Sequence, residues 1–275
     1  MVEVQLNAGR CACLVPIIAL AGCVSVSVES RAPAQPGEPG RQVARTLDVG
    51  VEREFEGEYL IYLPADYDSS REWPLLLFLH GAGERGDDVS RVAFHGPPKL
   101  IREATMDLPF IVVSPQVQED RIWSVRFLDA LLEEIARTYS VDEDRIYVTG
   151  LSMGGYGTWE LAMEFPHRFA AIVPISGGGT MPGACTLRHL PIWAFHGGLD
   201  KVVPPYHTED FVERLRECDG HIRYTRYEDA GHDAWTRTYA DPSLYEWLLS
   251  HRRGEPGPRE PQEATSKLPP TPDGG

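Results

Sequence analysis

Ser152 lies in Gly150-Leu151-Ser152-Met153-Gly154, directly after the apolar run "RIYVTG" (145–150) and directly before a small-residue run reaching Glu164. A G-x-S-x-G pattern between a strand and a helix is a nucleophile elbow, in which glycines leave room for a tight turn that exposes the hydroxyl. By itself it is a weak signal. Asp200 follows "PIWAFHG" (191–197) in "HGGLDKVVP", and His232 follows "IRYTRYE" (222–228) in "EDAGHDAW". Singly, the aspartate reads as a turn residue and the histidine as a cap or surface residue. In the order Ser152, Asp200, His232, each just past a strand-like run, they make a nucleophile, an orienting carboxylate and a general base.

A serine that attacks a carbonyl also needs donors for the oxyanion it creates. The run "PLLLFLH" (74–80) leads into "HGAGERGDD", which places the Ala82 N–H where such a donor is expected, opposite the Met153 N–H. The helix starting after Ser152 adds its dipole. A flexible turn explains Gly81 and Gly83 equally well but not their position. Three neighbours are candidates for substrate contact: Trp235, three residues past His232, and Gln116 and Trp123, past "FIVVSP" (110–115). Each also suits plain packing. Glu84 and Arg85 read as a surface ion pair, and His95, in "FHGPPK", falls in a loop with no assignable place. His80, His95, His196 and His207 lack metal-ligand spacing such as H-E-x-x-H, so neither a metal nor a cofactor is expected.

The elements that position these residues are short apolar runs alternating with amphipathic ones. "TLDVGVEREF" and "EYLIYLP" alternate in and out, as an antiparallel pair does. The runs at 74–80, 110–115, 145–150, 170–176, 191–197 and 222–228 are apolar nearly throughout, as are parallel strands buried on both faces. Helical patterns cover 124–139, 153–164, 208–216 and about 242–250. Together they predict an α/β fold: a mostly parallel sheet of about eight strands with helices on both faces. Ligands bind such sheets at the C-terminal strand ends, where Ser152, Asp200 and His232 lie. Between the sixth strand and the next only Gly177 to Leu190 intervene, too little for a helical lid, so an open site is expected.

Composition limits the partners. The 275 residues carry a formal net charge of -15 with no basic block, which argues against nucleic acid. The stretch "CACLVPIIALAGC" behind Arg10 is too short to span a bilayer but has the length of a signal-peptide core. Its end, Leu20-Ala21-Gly22-Cys23, resembles the lipobox of bacterial lipoproteins, which implies a lipid anchor on Cys23 and a cell-envelope location. Ala19-Leu20-Ala21 also suits ordinary cleavage, which would leave a periplasmic or secreted protein. The organisation expected is a signal peptide at 1–22, a disordered tether at 23–44, a folded domain at 45–251 and a disordered tail at 252–275. Nothing in the sequence sets an oligomeric state.

From about Tyr59 to His251 the chain resembles the α/β-hydrolase superfamily, specifically its compact esterases. The resemblance is carried by "LPADYDSSREWPLLLFLHGAGERGDD", "GLSMGGYGTWELA", "PIWAFHGGLDKVVP" and "GHDAW". These are similar to bacterial predicted peptidases and to the phospholipase/carboxylesterase, feruloyl-esterase and polyhydroxybutyrate-depolymerase groups. The resemblance implies a serine hydrolase acting on esters, including polymer-attached ones, through an acyl-enzyme. A serine peptidase is the second reading, although oligopeptidases of this superfamily gate their site with a propeller domain for which the chain has no room. A non-catalytic binding lipoprotein is the third.

Cys185 and Cys218, each just ahead of a strand in what should be adjacent positions, are expected to form a disulfide at the sheet edge opposite the site; the alternative is two buried thiols. If Cys23 is the lipidated residue, Cys23→Ser should move the protein from the membrane to the soluble fraction and abolish palmitate labelling. Unchanged fractionation would instead indicate ordinary cleavage.

Overall fold

The computed structural model describes residues 39–48, 56–179 and 181–255. The segment read as signal peptide, most of the tether, Cys23 and the tail from residue 256 lie outside the described residues. The strands are β1 (Gln42–Asp48), β2 (Glu56–Tyr62), β3 (Trp73–Leu79), β4 (Ile111–Pro115), β5 (Val141–Leu151), β6 (Ala171–Ile175), β7 (Ile192–Gly197) and β8 (Ile222–Tyr227). They form one sheet in the order β1-β2-β4-β3-β5-β6-β7-β8. The β1/β2 and β2/β4 pairs are antiparallel and the other five are parallel.

Period-two alternation sends the side chains of each central strand to opposite faces. Leu75, Leu77 and Leu79 of β3 enter one core while Leu76 and Phe78 enter the other. Over the first face lie α2 (Val125–Thr138), α3 (Met153–Glu164) and α4 (Tyr206–Glu217), which contribute Leu128, Leu131, Leu132, Ile135, Trp159 and Phe211. The second is covered by α1 (Gly96–Arg102), α5 (Trp235–Tyr239) and α6 (Pro242–Leu249), through Leu100, Tyr239, Leu244 and Leu248 among others. Local signals set several helix starts. The Ser124 hydroxyl accepts the Phe127 N–H ahead of α2, and the Asp241 carboxylate accepts the Ser243 N–H ahead of α6.

The structure departs from the sequence reading at several places. The first strand is "QVARTLD", not "TLDVGVEREF", and Gln42 pairs with Tyr62, so ordered chain begins before the boundary set at 45. At the other end Arg252 pairs with Asp142 and Arg253 with Asp144, which ties chain past residue 251 onto the start of β5. Two helices were not anticipated. In α1 the "GPP" start reads as a loop, yet proline is tolerated in a first helical turn, where its missing N–H has no intrahelical role. With five residues, α5 is too short to show a period. The 177–190 connection holds a 3₁₀ segment, Met181–Leu187.

Cys185 in that segment and Cys218 at the C-cap of α4 are joined by a disulfide, with Cα atoms 5.7 Å apart and a sequence separation of 33. Closing a loop of that length should contribute about 3–4 kcal/mol on the chain-entropy account. The Cys185→Ser/Cys218→Ser variant should therefore unfold at lower urea concentration, with an unfolding free energy reduced by that amount. Thiol titration of an unfolded, unreduced chain starting at Val24 should find neither thiol free; two free thiols would rule the bridge out.

Candidate active site

The parallel register aligns the strand ends that carry the site. Leu79 of β3 pairs with Gly150 of β5, Gly150 with Pro174 of β6, and Gly197 of β7 with Tyr227 of β8. Ser152 sits between β5 and α3 at φ 53°, ψ -115°, in the left-handed region that an L-residue enters at a cost. Its N–H donates to the Ile175 carbonyl at 2.9 Å, which fixes the turn against β6. The flanking glycines are needed for close approach. A Cβ at Gly154 would run into the Leu79 carbonyl, and one at Gly150 into the Gly154 carbonyl.

Ser152, Asp200 and His232 come together from three strand ends. His232 Nε2 lies 2.9 Å from Ser152 Oγ, and His232 Nδ1 lies 2.7 Å from Asp200 Oδ2. An ionised carboxylate only accepts, so Nδ1 carries the proton and Nε2 is left to accept from the serine hydroxyl. Asp200 Oδ1 also accepts the N–H groups of Val202 and Val203, at 2.9 and 3.0 Å. Burial pushes the Asp200 pKa up, but the His232 hydrogen bond and the Val203 and Val202 amides together hold it below the ordinary carboxylate value. The carboxylate side chain is fully buried. His196 lies 3.2 Å from the same Oδ2 and contacts the Val203 carbonyl and the Thr208 hydroxyl, with burial keeping its pKa low. The loop that carries His232 is held by Ser176, whose hydroxyl donates to the His232 carbonyl at 3.0 Å.

Ala82 and Met153 are the first residues of a 3₁₀ turn (Ala82–Glu84) and of α3, so neither N–H has an acceptor within its own helix. Gly81, the residue before Ala82, packs against Leu151, the residue before Ser152: a Cβ at Gly81 would lie 2.8 Å from Leu151 Cδ1. Trp235 stands edge-on to the His232 ring, with centroids 5.1 Å apart, and so forms one wall of the site. Leu199, Val202 and Tyr206, which lie near Asp200 in sequence, are exposed apolar side chains.

Gln116 and Trp123 do other work than the substrate contact considered for them. Gln116 is 6% exposed, and its amide donates to the Glu84 and Asp88 carbonyls at 2.8 and 2.9 Å. The Trp123 indole donates to the His80 carbonyl at 3.2 Å. Both brace the loop after β3, because the ends of β3 and β4 are neighbours in the sheet. Glu84 and Arg85 do not pair with each other. The Glu84 carboxylate turns inward to the Gly81 N–H at 2.9 Å, while Arg85 donates to the Ala82 and Arg121 carbonyls. His95 precedes α1, with Nε2 3.7 Å from Glu84 Oε1 and its ring edge-on to Trp235. Among the described residues no group of three or more His, Cys, Asp or Glu could hold a metal ion. The bracing residues His80, Glu84, Ser176 and His196 escape a sequence reading. Only the His-Gly dipeptides at 80–81 and 196–197 mark two of them.

A nucleophile elbow, a carboxylate-held imidazole and an eight-stranded, mostly parallel sheet between helices define an α/β-hydrolase. The profile of the phospholipase/carboxylesterase family matches residues 113–244. A solved thermostable esterase overlays with a TM-score of 0.67 at 35% identity, covering 77% of this chain and 63% of that one. A bifunctional acetylxylan esterase/xylanase of Neocallimastix patriciarum is 25% identical over 67% of this chain and 28% of its own. A probable feruloyl esterase C of Aspergillus niger is 26% identical, over 73% of this chain and 76% of its own. For a poly(3-hydroxyoctanoate) depolymerase of Pseudomonas fluorescens the figures are 27% identity, 65% and 74%. The chain thus spans just over a quarter of the bifunctional enzyme and under two thirds of the thermostable esterase. It has the α/β-hydrolase fold and is similar to carboxylesterase-type hydrolases.

His80 supplies a pH-dependent element of stability beside the site. Its Nδ1 donates to the Gly81 carbonyl at 2.6 Å and its Nε2 accepts the Val117 N–H at 3.0 Å, an arrangement only the neutral ring can make. Burial is the main reason its pKa falls to about 4, with Arg85 and Arg91 adding to the effect against the Gly81 bond. The unfolded chain takes up the proton near the ordinary 6.5 and the folded chain only near 4. Stability is therefore whole above about 6.5 and falls as pH drops towards 4, by about 3 kcal/mol. The advantage of wild type over His80→Gln in urea unfolding should shrink by roughly that amount between pH 7.5 and 4.5. A gap that does not change with pH would contradict it.

Proposed function

We propose that this chain is a serine carboxylesterase that works through an acyl-enzyme. The reading rests on one observation: Ser152 Oγ, His232 and Asp200 are linked at 2.9 and 2.7 Å with the serine on a strained elbow. Ser152 Oγ attacks the ester carbonyl carbon while its proton passes to His232 Nε2, and Asp200 stabilises the resulting imidazolium. The Ala82 and Met153 N–H groups take the negative charge on the carbonyl oxygen. Collapse breaks the bond to the alcohol, which leaves with the proton from His232. Water, deprotonated by the same imidazole, then releases the acid and restores the serine. Every step is done by groups of this chain and water.

Polymer-attached esters suit the site. Leu199, Val202 and Tyr206, near Asp200 in sequence, are exposed, and two relatives are named for feruloyl esters and for a polyester. We place the enzyme in the cell envelope, exported by its N-terminal segment and anchored through lipid on Cys23. The peptidase reading has less support. A solved dipeptidyl peptidase 4 of Porphyromonas gingivalis overlays with a TM-score of 0.62, but at 17% identity and over 35% of its length, which is a likeness of fold alone.

Purified protein should hydrolyse p-nitrophenyl acetate and butyrate and leave peptide anilides intact. Asp200→Asn should lower kcat by about 10⁴, because it favours the wrong imidazole tautomer, and Ser152→Ala by at least as much, with the fold kept. Ester hydrolysis surviving in Ser152→Ala would refute the mechanism, and cleavage of anilides but not esters would establish the peptidase.

A further inference from the structure

Resting on the esterase reading above, we propose that Glu84 is a positioning residue that fixes the Ala82 oxyanion donor. The reaction as derived makes no use of this side chain, although it is only 7% exposed. A buried carboxylate near a developing oxyanion carries the wrong sign of charge for catalysis, so its presence there needs a compensating role.

That role is visible in the two successive peptide groups that lead to Ala82. In the first, the His80 carbonyl accepts the Trp123 indole N–H at 3.2 Å, and the Gly81 N–H donates to Glu84 Oε2 at 2.9 Å. In the second, the Gly81 carbonyl accepts the His80 Nδ1–H at 2.6 Å, which leaves the Ala82 N–H as its free end. Three of the four polar ends are thus held, and the fourth is the donor the oxyanion needs. Without the Glu84 acceptor, the first peptide group is held at one end only and the second can rock about Gly81. A charged acceptor makes the stronger bond to an amide, which suits a clamp. Glu84 is itself held in place. Its carbonyl accepts from Gln116 at 2.8 Å, and its Oε1 faces His95 Nε2 at 3.7 Å. His95 packs edge-on against Trp235, and Trp235 against His232. Glu84 therefore links the oxyanion loop to the histidine wall of the site.

Three variants test this: Glu84→Ala, Glu84→Met, which fills the same space with no oxygen acceptor, and Glu84→Gln, which keeps one. For each, kcat and KM on p-nitrophenyl butyrate, the inhibition constant of a trifluoromethyl ketone and the thermal midpoint are measured. The ketone adds to Ser152 and presents an oxyanion, so it reads the donor directly, which a general loss of structure would not do selectively. Ala and Met should lower kcat about 10- to 100-fold and weaken the ketone by the same factor, with KM within about twofold. Gln should recover kcat to within about fivefold of wild type. A folded Ala or Met variant with wild-type kcat would overturn the proposal. So would Gln failing as badly as Met, losses that appear in KM rather than in kcat, or failure of both Ala and Met to fold, which would make Glu84 a structural residue. Wild type inactive on every ester would instead overturn the esterase reading.

Discussion

The tight approach of α3 to β3 and β5 is the constraint on which the site depends. Gly154 lies so near the Leu79 carbonyl, and Gly150 so near Gly154, that no side chain fits at either position. That lets the helix begin at the sheet, and the single residue between strand and helix then takes the left-handed conformation found at Ser152. The strain is held by the Ser152 N–H bond to Ile175, by β5 buried between neighbours on both edges, and by Trp159 buried under α3. Were the helix to move outward by the width of a methyl group, the hydroxyl would leave the reach of His232.

Around that fixed point the other groups are placed by loops, and each loop is secured by bonds outside its own sequence. Asp200 is held by Val202 and Val203 amides and lies beside His196; the His232 backbone is held by Ser176. Ser176 is itself in the left-handed region, at φ 48°, so two strained residues lie at the ends of the adjacent strands β5 and β6. The buried acid is kept ionised by hydrogen bonds that outweigh its desolvation, and the neutral imidazole is thereby fixed in the tautomer that can take a proton from serine.

The loop after β3 follows the same principle with different chemistry. It has little apolar surface of its own to bury, and its shape comes from side chains that bond its backbone: His80, Glu84, Arg85, Arg91, Gln116 and Trp123. Residues that look in sequence like surface charge or substrate contacts are therefore used to hold main-chain groups. A loop so held loses little freedom when charge develops next to it, which is the condition for electrostatic stabilisation of an oxyanion.

Much of this was legible in the sequence, because it depends on local properties. Burial on both faces makes the central strands apolar throughout, amphipathic spacing marks α2 and α4, and glycine punctuation marks the elbow, so strand order along the chain put Ser152, Asp200 and His232 at strand ends. Where locality fails, so does the reading. The short α5 and the proline-led α1 carry no period, and β1 begins earlier than its alternation suggested because its register is set by pairing with β2. The loop-facing amide of Gln116 belongs to the same class. It follows from a contact between residues 32 apart, as the His232–Ser152 bond joins residues 80 apart. Sequence by itself determined which elements form and which residues end them, since propensity and periodicity act within a few residues. Which side chain meets which main-chain group was decided by the tertiary structure, since it depends on β4 lying beside β3 and β3 beside β5, and spacing along the chain does not encode that order.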